Sequence, residues 1–101
     1  MAVSREFAIY ADWQCVRVVD QEVLDGVDEA WDQTDETFCS SRGDDDPTVL
    51  VLSFDLIADS YDDGAAQGQR RVERFSQAAS LEGTLLSVVA IVDEGQMKVN
   101  P

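Results

Sequence analysis

The sequence predicts an α+β fold in which strands and helices follow one another as β-α-β-β-α-β. Apolar residues alternate with a period of two in several segments and recur with helical spacing in two others. A run of Gly, three Asp and Pro at 43–47 indicates a tight turn between the two middle strands. The 101 residues, 45% of them apolar, suit a single small domain that spans 1–101.

The first half of the chain predicts one strand and one amphipathic helix. The strand covers 6–16, and the helix covers 21–36 with Asp20 as its N-cap. Gly26 lies beside the apolar stripe of this helix, where a missing side chain would let the backbone approach a sheet. The residues expected to be buried are Phe7, Ile9, Ala11, Trp13 and Cys15 on the strand, and Val23, Leu24, Val27, Ala30 and Trp31 on the helix.

The second half predicts the remaining strands and a second helix. Ser60 or Asp59 caps that helix, and Gly83 is placed to stop it. Its apolar stripe consists of Tyr61, Ala65, Gly68, Val72, Phe75 and Ala79. The elements are a short strand at 37–42, a strand at 48–58, the helix at 61–81, a strand at 84–92 and a flexible tail at 96–101.

This order of elements predicts a ferredoxin-like two-layer sandwich, with both helices on one face of a four-stranded antiparallel sheet. The weakest element is the segment 37–42. If it is not a strand, the alternative is β-α-β-α-β with a three-stranded parallel sheet.

Composition excludes several classes of function. The chain has no histidine, so neither Ser-His nor Cys-His catalysis is available, and two cysteines alone cannot complete a zinc site. We therefore expect a protein that is not an enzyme and has no cofactor. The 21 acidic residues outnumber 7 basic ones, and the net charge of −14 opposes direct binding to nucleic acids or anionic membranes. Without a signal or membrane segment, a cytoplasmic location is expected.

The first predicted helix presents an acidic face to solvent. No Lys or Arg occurs between Val18 and Ser41. Acidic residues four positions apart repel one another, so a helix shaped only for stability would alternate its charges. This face is interpreted either as a docking site for a basic protein or as a solvated surface whose charge reflects only an acid-rich composition. Arginines of the second helix could neutralise part of this face. The residues expected to bind the partner are Asp25, Asp28, Glu29, Asp32, Asp35 and Glu36.

Two further functions stay open. The acidic face could imitate nucleic-acid phosphates in an inhibitor or immunity-type protein that acts on a basic nuclease or DNA-binding protein. Alternatively, a pocket between sheet and helices could bind a small ligand. A carboxylate group near the second helix, Asp55, Asp59, Asp62 and Asp63, could hold a cation, although helix capping and turn formation explain these residues more simply.

The last strand is apolar on both sides, because Leu86, Val88, Ala90 and Val92 alternate with Leu85, Ser87, Val89 and Ile91. Aliphatic side chains should therefore remain on the sheet face that the helices leave open. Such a surface is typical of an interface. We expect a homodimer packed sheet to sheet with Tyr10, Val49 and Val51 near its centre, unless the tail covers that face.

Overall fold

A computed structural model of the chain describes residues 4–92 and contains one antiparallel sheet and two helices. The sheet order is β2-β3-β1-β4, and all neighbouring strands are antiparallel. This is the predicted ferredoxin-like α+β arrangement, and it rules out the three-stranded parallel alternative. The elements are β1 (Arg5–Cys15), α1 (Gln21–Ala30), β2 (Cys39–Arg42), β3 (Val49–Ala58), α2 (Tyr61–Ala78) and β4 (Gly83–Val92).

Both helices cover the same face of the sheet, as predicted. Gly68 in α2 lies against Ile9 and Val88, and Trp31 at the end of α1 packs against the ring of Phe54. The side chains on this face form one core, in which Trp13 and Trp31 are both buried. The opposite face of the sheet, called the open face below, carries no described helix.

The helix starts agree with the sequence. The Asp20 carboxylate accepts a hydrogen bond from the Val23 amide at 3.0 Å, and Ser60 Oγ accepts one from the Asp63 amide at 3.0 Å. Side-chain oxygens at the N-cap satisfy amide groups that have no partner within the helix. Both helices therefore begin where the capping residues place them.

The helix ends differ from the prediction. α1 ends at Ala30 instead of residue 36, and α2 ends at Ala78 instead of residue 81. Ser80, with a φ of 54°, follows α2 in the left-handed conformation that was expected to require a glycine. Gly83 instead begins β4 with a φ of +134°, where a Cβ would collide with the Gln14 carbonyl.

Two of the three glycines in the described helices, Gly26 and Gly68, have opposite surroundings. A Cβ on Gly68 would lie 2.7 Å from Ile9 Cγ2, so the missing side chain allows α2 to approach the sheet. A Cβ on Gly26 would meet no atom within 4 Å. The predicted reason for Gly26, close approach of α1 to the sheet, is therefore wrong.

A β-bulge interrupts β4 and decides which of its side chains face the core. Trp13 pairs with Leu85 and Asp12 pairs with Ser87, so Leu86 has no partner on β1. Leu85 packs against the core while Leu86 is exposed. The uninterrupted alternation expected for this strand is therefore wrong. The predicted tail at 96–101 lies outside the described residues.

Candidate interaction surfaces

The predicted acidic face is divided between a helix and a loop. Asp25, Asp28 and Glu29 lie on α1, as expected, but Asp32, Asp35 and Glu36 follow its end. All except Asp35 are exposed. The exposed members form one acidic surface, defined here as Asp25, Asp28, Glu29, Asp32 and Glu36.

Two Asp-x-Thr turns explain why α1 does not continue. Asp32 Oδ1 accepts hydrogen bonds from the Thr34 amide at 2.9 Å and the Thr34 hydroxyl at 2.7 Å. Asp35 Oδ1 accepts the equivalent bonds from Thr37 at 3.0 and 2.6 Å. Asp and Thr side chains that bind nearby backbone compete with the helical hydrogen bonds. The bonds from Thr34 also hold the pKa of Asp32 below its ordinary value.

Asp35 belongs to the interior of the helix layer. Its Oδ2 accepts a hydrogen bond from Trp31 Nε1 at 3.1 Å and lies 3.2 Å from Arg71 Nη2. Burial raises the pKa of this carboxyl, but hydrogen bonds from Thr37 and Trp31 and the charge of Arg71 outweigh burial, so the pKa is lowered. Asp35 is thus occupied within the chain. The pair with Arg71 agrees with the expectation that arginines of the second helix neutralise part of the acidic face.

Two carboxylates of α1 accept further hydrogen bonds, one from β2 and one from within the helix. Asp28 Oδ1 accepts a hydrogen bond from Ser40 Oγ in β2 at 2.7 Å, and Asp25 accepts one from Gln21 at 2.8 Å. Both carboxylates stay exposed. The acidic surface is therefore partly ordered by the fold before any partner binds.

The open face carries exposed apolar side chains, which we call the open-face cluster: Tyr10, Leu86, Val89 and Ile91. Each of them is between 45% and 55% exposed. Register places Tyr10 directly opposite Val89, and Ile91 opposite Ala8. Side chains opposite one another on the same face are direct neighbours. The cluster is therefore continuous across β1 and β4.

The structure places all three predicted interface residues on the open face, with different surroundings. Tyr10 is part of the open-face cluster. Val51 and Val49 lie on β3 and are half-buried; Val51 pairs with Asp12 on one side and with Ser41 on the other. Exposed apolar surface is also present on β3, where Ile57 pairs with Glu6 on the same face and is 58% exposed.

A cleft lies between α1 and the turn that joins α2 to β4. Its volume is about 460 Å³. Val23, Val27 and Leu81 line its apolar walls, and the thiol of Cys15, whose pKa is raised by burial, belongs to its lining. Its edge is charged and includes Arg17, Glu22 and Glu82. We refer to it as the α1 cleft.

The carboxylates near α2 make local bonds. Asp63 Oδ2 accepts from Gln67 Nε2 at 2.9 Å and from the Asp59 amide at 3.2 Å. Asp59 Oδ1 accepts from Ser4 Oγ at 2.9 Å. Within residues 4–92, no group of three or more His, Cys, Asp or Glu side chains is arranged to hold a metal ion.

Two of these features were not predicted from the sequence. The sequence indicated that arginines of the second helix could pair with the acidic face, but the meeting of Arg71 and the Trp31 indole on one oxygen of Asp35 depends on how separate elements pack. The turns that end α1 could have been predicted from the sequence, because the pattern Asp-x-Thr occurs at 32–34, 35–37 and again at 46–48.

Comparison with known proteins assigns neither a family nor a function to the chain. No protein-family model matches the chain, and no significant match was found among curated proteins or solved structures. In the described part of the chain, no helix has the length and apolar character needed to cross a membrane.

Proposed function

We propose that the protein is a non-enzymatic interaction module that forms a homodimer through the open face and presents the acidic surface to a basic protein. The main observation that supports a dimer is the open-face cluster. Its four side chains are about half exposed on the sheet face that the described helices leave uncovered. Contiguous apolar surfaces of this kind are typical of interfaces.

The open face is large enough for a dimer of modest affinity. Three strands of ten or eleven residues and the four-residue β2, about 4.8 Å apart and rising about 3.3 Å per residue, give a face on the order of 550 Å². Two such faces bury roughly 1,100 Å², just above the area of about 1,000 Å² that a specific interface should exceed. A two-fold axis would place the same cluster on both sides of the contact.

Net charge opposes this dimer and provides a signature for it. Each chain carries −14, so two copies repel one another at low ionic strength. Salt screens that repulsion while leaving apolar contacts intact. We expect the dimer to become stronger as salt is added.

Substitution on two strands tests the dimer by sedimentation velocity. Val89→Asp on β4 and Val51→Asp on the interior strand β3 each place a carboxylate in the proposed interface, and both should weaken self-association at least tenfold. Val18→Asp is the matched control, because Val18 is 50% exposed, against 49% for Val89, and lies outside the sheet. Loss with Val89→Asp alone would indicate edge pairing of β4 and would contradict the proposal.

The acidic surface supports docking of a basic partner. Within the described residues, two ion pairs lie near the acidic surface, Arg71–Asp35 and Arg17–Glu22. Neither of them includes a member of the acidic surface. Three of its five carboxylates accept hydrogen bonds within the chain, but all five are exposed and can contribute their charge to steering a cationic partner. If the basic partner is a nuclease, the acidic surface would act by imitating the phosphates of a nucleic acid.

Association with an immobilised basic nuclease tests this second part. The double variant Glu29→Lys/Glu36→Lys should slow association several-fold more than Asp44→Lys/Asp45→Lys, which makes the same charge change in the exposed β2–β3 turn. Equal slowing would show that net charge alone acts, and would contradict docking by the acidic surface. Competition by duplex DNA would support mimicry.

A further inference from the structure

We propose that the α1 cleft receives an aliphatic side chain from a cationic amphipathic segment of the basic partner. This inference rests on the proposed docking function and deepens it, since it names the chemistry of the partner segment. The cleft, the charges at its edge and one glycine carry the argument.

The cleft has the size and lining of an anchor site. Its volume of about 460 Å³ lies within the range of ligand pockets, which is roughly 300–1,000 Å³. Val23 and Val27 form one wall and Leu81 forms part of the other. Filling such a depression removes apolar surface of both molecules from water, which is the usual basis of an interface hot spot.

The charges at the edge favour a cationic occupant. Glu22 lies on the α1 side and Glu82 on the opposite side. Arg17, the basic residue of the lining, lies 3.5 Å from Glu22, so these two charges offset each other and Glu82 supplies the net negative charge of the edge. Glu29 belongs to the acidic surface and follows Gly26 by three positions, so it lies nearly one helical turn along the same side of α1. A segment with an apolar stripe and flanking Lys or Arg would match both features, whereas an anionic amphiphile would be repelled.

Gly26 keeps the cleft open on the α1 side. It lines the cleft, and a Cβ at this position would meet no atom within 4 Å. A glycine inside a helix lowers helix stability by about 1 kcal/mol relative to alanine. Neither close packing nor an unusual φ requires a glycine here. The missing side chain instead leaves this side of the cleft accessible.

Two synthetic peptides test the inference by fluorescence anisotropy at physiological ionic strength. The first has leucines at i, i+3, i+4 and i+7 with lysines at the other positions, which places the leucines on one helical face. The second has the same composition in an order that disperses the leucines. The first should bind at least tenfold more tightly than the second. In methyl NMR spectra, it should shift Val23, Val27 and Leu81 and leave Val89 and Ile91 unchanged.

Two substitutions at one position separate the cleft from the charge. Gly26→Leu fills the cleft without altering charge and should weaken binding of the first peptide at least tenfold, while Gly26→Ala should retain most of the affinity. Circular dichroism should show that both variants are folded. Equal binding of the two peptides, or full affinity of Gly26→Leu, would overturn the role of the cleft and leave docking by the acidic surface intact. Failure of both peptides to bind even at low salt would overturn both proposals.

Discussion

Arg71 in α2 forms an ion pair with Asp35 in the loop after α1, with 3.2 Å between Nη2 and Oδ2. The same carboxylate oxygen accepts the indole N–H of Trp31, and the Arg71 guanidinium lies 4.8 Å from the centroid of that indole. Trp31 in turn stacks on Phe38 with 4.2 Å between ring centroids. One arginine therefore attaches the loop that carries Asp32 and Glu36 to the second helix.

Removal of the Arg71 side chain should destabilise the fold measurably. Arg71→Ala loses a partly buried ion pair, a cation–π contact and the packing of the aliphatic stem, which together should lower the free energy of unfolding by about 1–2 kcal/mol. Arg74→Ala, an exposed arginine one turn further along α2, should change it by less than about 0.5 kcal/mol. Urea unfolding followed by tryptophan fluorescence measures both. Equal effects would contradict a special role for Arg71.

Asp35 should contribute stability that depends on pH. Burial raises the pKa of its carboxyl, but hydrogen bonds from Thr37 and Trp31 and the charge of Arg71 lower it by more, so the folded-state pKa lies below the unfolded one. The contribution is therefore fully present above the ordinary Asp pKa of about 3.9 and is lost as pH falls through the folded-state value. The difference in unfolding free energy between wild type and Asp35→Asn should be largest near neutral pH and should shrink in acid. A difference that does not change with pH would contradict this account.

Alanine at Gly26 and alanine at Gly68 should have effects of opposite sign on stability. Gly26→Ala should stabilise the fold by about 1 kcal/mol, because the added methyl meets open space and alanine favours the helix. Gly68→Ala should destabilise it by about 1–3 kcal/mol, because its Cβ would lie 2.7 Å from the fully buried Ile9. Thermal unfolding of the two variants checks both signs. Stabilisation by Gly68→Ala would show that α2 can move away from the sheet at little cost.

The sequence predicted the order of elements because alternation and capping are local properties. Asp20 and Ser60 start their helices through oxygens that lie within three residues of the amides they bind. Features that depend on contacts between residues distant in the sequence could not be predicted in this way. Which side of β4 is buried depends on a bulge opposite Asp12 and Trp13, and a strand that is apolar on both sides does not reveal it.

The candidate surfaces were predicted in part. The acidic residues were visible as charge, but the bonds that occupy Asp35 come from α2 as well as from its own loop. The α1 cleft needs Leu81 beside Val23, and nearly sixty positions in the sequence separate these residues. Such proximity follows from the packing of elements, and no spacing along the chain predicts it.

The mass of the wild-type protein in solution tests the central claim, dimerisation through the open face, most directly. Sedimentation velocity at rising protein concentration, in low and in high salt, should show a species of about twice 11.1 kDa whose fraction increases with salt. Salt should act in this direction because it screens repulsion between two chains of charge −14 and leaves the apolar contact intact. A mass that stays near 11.1 kDa up to concentrations of about 1 mM in high salt would contradict the account.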